Sequence, residues 1–203
     1  MSNLSRKAYK ERFIDILVDS FAGNPAVNDV VKQDSKADQR LRKLAAYSYN
    51  FGERRQGNYL SSDENGVAIS YVEDMNRTLS DHWASFNLIL QVSGVQKAKY
   101  LLQKEAYRAS VRPKEPFYYV WFIGVDASYR GGECGKELKR HIFSESARLC
   151  LPILQETTIP KNKKVYEYFG FRTYHVHQFH ESLPPTHFMR REVSQNQLIR
   201  ANS

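Results

Sequence analysis

Residues 117–135 read Phe117-Tyr-Tyr-Val-Trp-Phe-Ile-Gly-Val125-Asp-Ala-Ser-Tyr-Arg-Gly-Gly-Glu-Cys-Gly135. The first half is continuously apolar and aromatic, the composition of a central strand buried on both faces. The second half is a glycine-rich turn. Beyond it Cys134, Leu138, Ile142, Ser146 and Leu149 recur every three or four residues, which predicts an amphipathic helix over about 132–149. Pro152-Ile-Leu-Gln-Glu-Thr157 then reads as a short strand. Strand, turn, helix and strand make a βαβ unit, so the strands at 117–125 and 152–157 are expected to be neighbours and parallel.

Further along, 162–169 suits a short helix closed by Gly170, and 171–178 and 187–193 suit two closing strands. Toward the N-terminus, Ala8, Phe13, Ile16, Leu17 and Phe21 fall near helical spacing, and Gly23-Asn24-Pro25 stops that helix. Residues 28–50 read as a further helix, with Leu41, Leu44, Ala45 and Tyr49 on one face. Strands at 58–61 and 67–72 flank the turn Asp63-Glu64-Asn65-Gly66, a hairpin signal. Residues 77–109 carry a helical pattern broken near Ser93-Gly94. No internal repeat or low-complexity linker divides the chain, so residues 1–203 are expected to form a single domain.

The 203 residues are 41% hydrophobic and 26% charged, the balance of an ordinary globular protein. No apolar run approaches the roughly 20 residues a membrane helix needs. The opening residues lack the apolar stretch of a signal peptide, so a cytoplasmic location is expected. Cys134 and Cys150 fit no zinc spacing and read as free thiols. The net charge of +8 invites a nucleic-acid reading. Against it, no block of five or six like charges appears, and Arg54-Arg55 and Lys163-Lys164 are only pairs. A basic face of this kind is either solvated or holds a smaller polyanion.

The glycine turn offers a place for such an anion. Glycines let the backbone approach a phosphate, and the first amides of the following helix point outward unpaired. Arg130 and Lys136 flank the turn as counter-charges. The pattern is neither a Walker loop, since Glu137 follows Lys136, nor a GxGxxG fingerprint. By itself it is also an ordinary turn before a helix.

Three features in order carry a resemblance. Residues 125–135 resemble the pyrophosphate-binding motif of the GCN5-related N-acetyltransferase (GNAT) family. Leu154-Gln-Glu-Thr-Thr158 resembles that family's next strand, and Asn162-Lys-Lys-Val-Tyr-Glu-Tyr-Phe-Gly-Phe171 resembles its Asn-x-x-x-Tyr-Glu-x-x-Gly-Phe segment. The likeness covers 117–176, expected as the cofactor-binding core. Residues 1–72 fit the family's opening helices and first strands loosely. The resemblance implies an α/β fold with a twisted mixed sheet, helices on both faces, and two parallel strands splayed around a cofactor gap.

It also implies an acetyl-CoA-dependent transfer of an acetyl group to a primary amine on a small-molecule or peptide acceptor, with no metal. Carried over residue by residue, the backbone of Ile123 and Val125 would pair with the pantetheine arm. Amides of Gly131, Gly132, Cys134, Gly135 and Lys136, with Arg130 beside them, would hold the pyrophosphate. Asn162 would contact the arm, and Tyr166 would protonate the departing thiolate. One position departs from the motif: Glu133 stands where glycine is usual. Either its carboxylate points to solvent or it weakens binding by repulsion.

Other residues keep two readings. Glu156 is either the base that deprotonates the amine or an exposed or structurally paired glutamate, with a base acting through water elsewhere as the alternative source of that step. Tyr47, Tyr49 and Phe51 either line the acceptor pocket or belong to the core. Trp121 reads as core. His175 and His177 share a strand face, with His180 following, and read as solvated histidines on an edge strand in preference to metal ligands. Cys134 reads as loop packing in preference to a nucleophile. A non-catalytic acyl-CoA-binding module of the same fold is the rival to the enzyme.

Overall fold

A computed structural model describes residues 4–73, 89 and 91–193. Helix α1 (Arg6–Phe21) starts at Ser5, whose hydroxyl accepts the N–H of Ala8, and buries Phe13, Ile16, Leu17 and Phe21. The helix expected over 28–50 is two helices, α2 (Pro25–Val30) and α3 (Ala37–Arg54). The break has local causes. Val31 turns into the core, Lys32 donates its N–H to the Val92 carbonyl, and the Asp34 carboxylate accepts the N–H of Lys36.

Strands β1 (Asn58–Leu60) and β2 (Gly66–Glu73) form the hairpin expected around residues 63–66. Helix α4 (Val95–Val111) begins directly after Gly94. The rest of the 77–109 helical pattern lies largely outside the described residues. Strand β3 (Phe117–Val125) is followed by a 3₁₀ turn (Ala127–Tyr129), helix α5 (Glu133–Leu149), strand β4 (Ile153–Thr157), helix α6 (Pro160–Tyr168) and strands β5 (Arg172–His177) and β6 (Thr186–Arg191).

Among the described residues the strands form one six-stranded mixed sheet in the order β1-β2-β3-β4-β6-β5. The β3–β4 pair is parallel, as the βαβ reading requires, and the other pairs are antiparallel. Helices cover both faces. On one, α1 and α3 pack with Phe117, Tyr119 and Leu154. On the other, Leu138 and Ile142 of α5 pack with Tyr118, Val120, Ile153, Phe171 and Met189.

Two details of the sheet create an opening. The β3–β4 ladder is only three residues long, ending at Val120 opposite Gln155. At that point β3 carries a bulge. Phe122 pairs with Ile69 and Val120 with Ser70, so Trp121 is an extra residue. A bulge bends its strand and ends regular pairing. Side-chain alternation records the same event. Trp121 and Phe122, consecutive in the chain, both pack on the α1–α3 core, whereas Ile123 and Val125 pack on the α5 side. Beyond the bulge β3 and β4 diverge, and Glu156 and Thr157 pair with β6 alone.

Candidate active site

The divergence leaves a cleft of about 160 Å³ between β3, β4, α5 and α6. Its walls are largely apolar: Val120, Ile123, Leu138, Ile142, Val165 and Phe171. Its polar features are the Gln155 carboxamide, the Tyr166 phenol, Lys139 and the stretch at Gly135. The backbone of β3 supplies more. Asp126 donates its N–H to the Asn65 carbonyl, which fixes the alternation of hydrogen-bonding positions toward β2 as Asp126, Gly124 and Phe122. The backbone groups of Ile123 and Val125 therefore turn to the open edge. The Val125 carbonyl is within 3.3 Å of the Ser20 hydroxyl, which donates to it.

The glycine turn lies where β3 ends. Gly131 has φ +84°, a conformation that disfavours any side chain. The first amides of α5, at Glu133, Cys134 and Gly135, have no partner within the helix. A Cβ at Gly131 or Gly135 would meet nothing within 4 Å, so both open on free space. Gly132 behaves differently: its N–H is donated back to the Tyr129 carbonyl. Cys134 is buried, its thiol pushed up by burial and donating toward the Tyr129 carbonyl at 3.7 Å. Such a thiol is a packing group, not a thiolate nucleophile. Arg130 is exposed beside the turn.

Glu133 points to solvent. Its side chain is 72% exposed and lies 2.5 Å from the Lys136 ammonium, whose hydrogen bond holds the carboxyl below its ordinary value. Of the two outcomes left open for it, the structure has the solvent-facing one. Glu133→Gly is accordingly expected to change affinity for acetyl-CoA by less than about twofold, since exposed pairs contribute little. Isothermal calorimetry on both proteins checks this, and tighter binding by the variant would mean that the carboxylate repels the ligand.

Tyr166 is held by the end of its own helix. Gly170, with φ +87°, donates its N–H to the Glu167 carbonyl, and Phe171 donates to the Tyr166 carbonyl. These two bonds form a Schellman cap, accompanied by contact between the Tyr166 and Phe171 rings at 5.8 Å. The Tyr-Glu-Tyr-Phe-Gly-Phe sequence thus fixes where the phenol sits. Burial pushes its pKa up to about 12. Asn162, Val165, Tyr166 and Phe169 are spaced to share one helix face, and the last three line the cleft. Asn162 is half-buried one turn before Tyr166.

Glu156 faces the other way. Alternation along β4 turns it from the cleft toward α4, where it lies 2.8 Å from Arg108 Nε and 2.7 Å from Arg112. The Tyr119 hydroxyl also donates to it, at 3.1 Å. Burial by itself would raise its pKa. The charges of Arg108 and Arg112, with hydrogen bonds from Arg112 and Tyr119, outweigh that and hold the carboxyl below its ordinary value. A carboxylate so held is a weaker proton acceptor than a free glutamate, and here it is ion-paired with Arg108 and Arg112.

Removing this charge strands two largely buried guanidinium groups. Glu156→Gln is expected to destabilise the fold by about 3–5 kcal/mol in urea unfolding. The sign in pH follows from the lowered value. The contribution is complete above the ordinary glutamate value of 4.5 and is lost as pH falls through the folded one. A variant as stable as wild type at neutral pH would show that the cluster contributes nothing.

The remaining expectations are met unevenly. Tyr49 is core, stacked edge-on against Phe13 at 5.2 Å. Phe51 is buried beside Trp121 at 5.1 Å, and the Arg55 guanidinium lies over Phe51 at 4.8 Å. Trp121 is only half-buried and marks the bulge. His175 and His177 are not free edge-strand histidines. Tyr107 of α4 covers both, hydrogen-bonding His175 at 2.9 Å and stacking on His177 at 3.9 Å. Among the described residues no three His, Cys, Asp or Glu side chains are grouped to hold a metal, and no helix is long and apolar enough to cross a membrane. Sequence reading missed Gln155 and Arg112, for which no local signal exists.

The fold that carries this cleft superposes on solved structures described as acetyltransferases. A solved structure described as histone acetyltransferase HPA2 and related acetyltransferase from Corynebacterium glutamicum superposes with a TM-score of 0.69 at 18% identity, covering 94% of each chain. Arylalkylamine N-acetyltransferase 2 from Aedes aegypti gives 0.67 at 15%, covering 95% of this chain and 98% of its own. Drosophila melanogaster polyamine N-acetyltransferase gives 0.62 at 11%, covering 90% and 94%. No protein-family model matches the sequence, and no curated protein sequence is significantly similar to it. The chain has the GCN5-related N-acetyltransferase fold.

Proposed function

We propose that the protein is an acetyl-CoA-dependent N-acetyltransferase acting on the primary amine of a small-molecule or peptide acceptor. The observation that best supports this is the opening between β3 and β4, with the free-space glycines at one end and the Tyr166 phenol in its wall. The fit is chemical as well as spatial. Unpaired amides at the start of α5 suit a pyrophosphate, and the open-edge backbone of Ile123 and Val125 suits the amides of a pantetheine arm. Arg130, Gly131, Cys134, Gly135, Lys136 and Asn162 complete the proposed binding set. Gly132 serves by shaping the turn, since its N–H is already used.

Acetyl-CoA supplies an acyl group activated as a thioester, and transfer to an amine releases a thiolate. In this reading Tyr166 donates its phenolic proton to that sulfur. A phenol pushed up to about 12 stays protonated throughout the physiological range and is available as the acid. Glu156 anchors Arg108 and Arg112, and the proton lost by the amine passes to water. The solved relatives named for arylalkylamine and polyamine acetylation support an amine acceptor.

The test is release of free thiol from acetyl-CoA across a panel of amines. Thiol release that depends on one of the amines, with the acetylated product identified by mass spectrometry, is the expected result. The paired state of Glu156 favours one rival, a module that binds acyl-CoA without turning it over. Calorimetric binding of acetyl-CoA with no thiol release for any amine would decide for that rival.

A further inference from the structure

Gln155 is the last residue of β4 to pair with β3. Its side chain turns to the α5–α6 face, where it lines the cleft beside Val120, Ile123, Tyr166 and Phe171. It is 4% exposed, and its amide nitrogen has no hydrogen-bond partner in the protein. Buried amides are almost always paired, because one left without a partner keeps the full cost of leaving water. Val120, Ile123, Leu138 and Phe171 line the cleft with only aliphatic and aromatic surface, and its polar liners Tyr166 and Lys139 make no hydrogen bond to the Gln155 nitrogen. A group that enters the cleft can supply the missing partner.

Geometry says which part of an entrant that is. β3 and β4 converge at Val120 and Gln155, so Gln155 marks the closed end. The glycine turn follows Val125, five residues and roughly 17 Å further along the strand. A ligand anchored by phosphates at the turn presents its far end to Gln155.

We propose that Gln155 is a ligand-positioning residue: its carboxamide nitrogen donates a hydrogen bond to a carbonyl oxygen at the acyl end of the acyl-CoA arm, holding the thioester beside Tyr166. This rests on the acetyl-CoA reading above. The donor is positioned before the ligand arrives, so no side chain need be reorganised on binding.

Calorimetry with acetyl-CoA and with CoA, on wild type, Gln155→Leu and Gln155→Met, tests it alongside thermal melts of the free proteins. Both variants delete the donor, and Met keeps the length and flexibility of the side chain. Each is expected to bind acetyl-CoA about tenfold more weakly, while the free proteins melt no lower than wild type, because an unpaired buried amide has been removed. Loss confined to acetyl-CoA places the acceptor oxygen on the acetyl group, and equal loss for CoA places it on the arm; either supports the proposal. Wild-type affinity in either variant overturns it, as does a lowered melting temperature with affinity unchanged, the mark of a packing role. Wild-type protein that binds neither ligand refutes the acetyl-CoA reading itself, and the proposal with it.

Discussion

Tyr166→Phe is expected to lower turnover by at least about tenfold and, if the phenol supplies the full benefit of general acid catalysis, by about 10²–10⁴. The substitution keeps the ring that packs against Phe171 and leaves the Schellman cap at Gly170 intact, since both cap bonds are made by backbone groups. Burial is the cause of the raised phenol pKa, so the hydroxyl loses no internal salt link or charge partner when deleted. Melting temperature and acetyl-CoA affinity should therefore change little, and the loss should fall on kcat. Single-turnover measurements with an accepted amine separate the chemical step from product release. A Phe variant that performs that step at the wild-type rate would make Tyr166 a wall residue only.

Gly135→Leu is expected to weaken acetyl-CoA binding by at least about 100-fold, close to 3 kcal/mol, without destabilising the free protein. Gly135 is the third residue of α5 and has an ordinary helical φ, and a Cβ there meets nothing within 4 Å. Leucine is a better helix former than glycine by about 1 kcal/mol, so the melting temperature should hold or rise. The new side chain projects into the cleft that Gly135 lines, where the proposed pyrophosphate would approach the amides at the start of α5. Stability retained with affinity lost separates ligand exclusion from misfolding. Unchanged affinity would mean that no phosphate approaches this end of the helix.

These experiments bear on a site that was partly readable from the chain. The apolar run 117–125, the glycine turn, the helical spacing from Cys134 to Leu149 and the Gly170 cap are local signals, each set by residues within a turn or two of one another. They placed β3, α5, β4 and α6 within a residue or two of their observed bounds. Tyr166 was legible for the same reason, because the cap that fixes it lies within the next five residues. The bulge at Trp121 was not legible. In a strand that is apolar at every position, no alternation exists whose interruption could reveal an extra residue.

The sequence by itself determined the βαβ unit, its parallel pairing, and the glycine turn, because these follow from periodicity and backbone freedom. Only the tertiary structure decided the chemistry of the two neighbouring residues on β4. Glu156 turns toward Arg108 and Arg112, which lie 48 and 44 positions earlier in the chain, and becomes their counter-ion. Gln155, one residue before it, turns to the opposite face and meets apolar walls, so its amide is left to a ligand. A strand sends successive side chains to opposite faces, but what waits on each face is set by helices from elsewhere in the chain. That long-range packing, and not residue type, makes one polar side chain a structural ion and the next a candidate binding group.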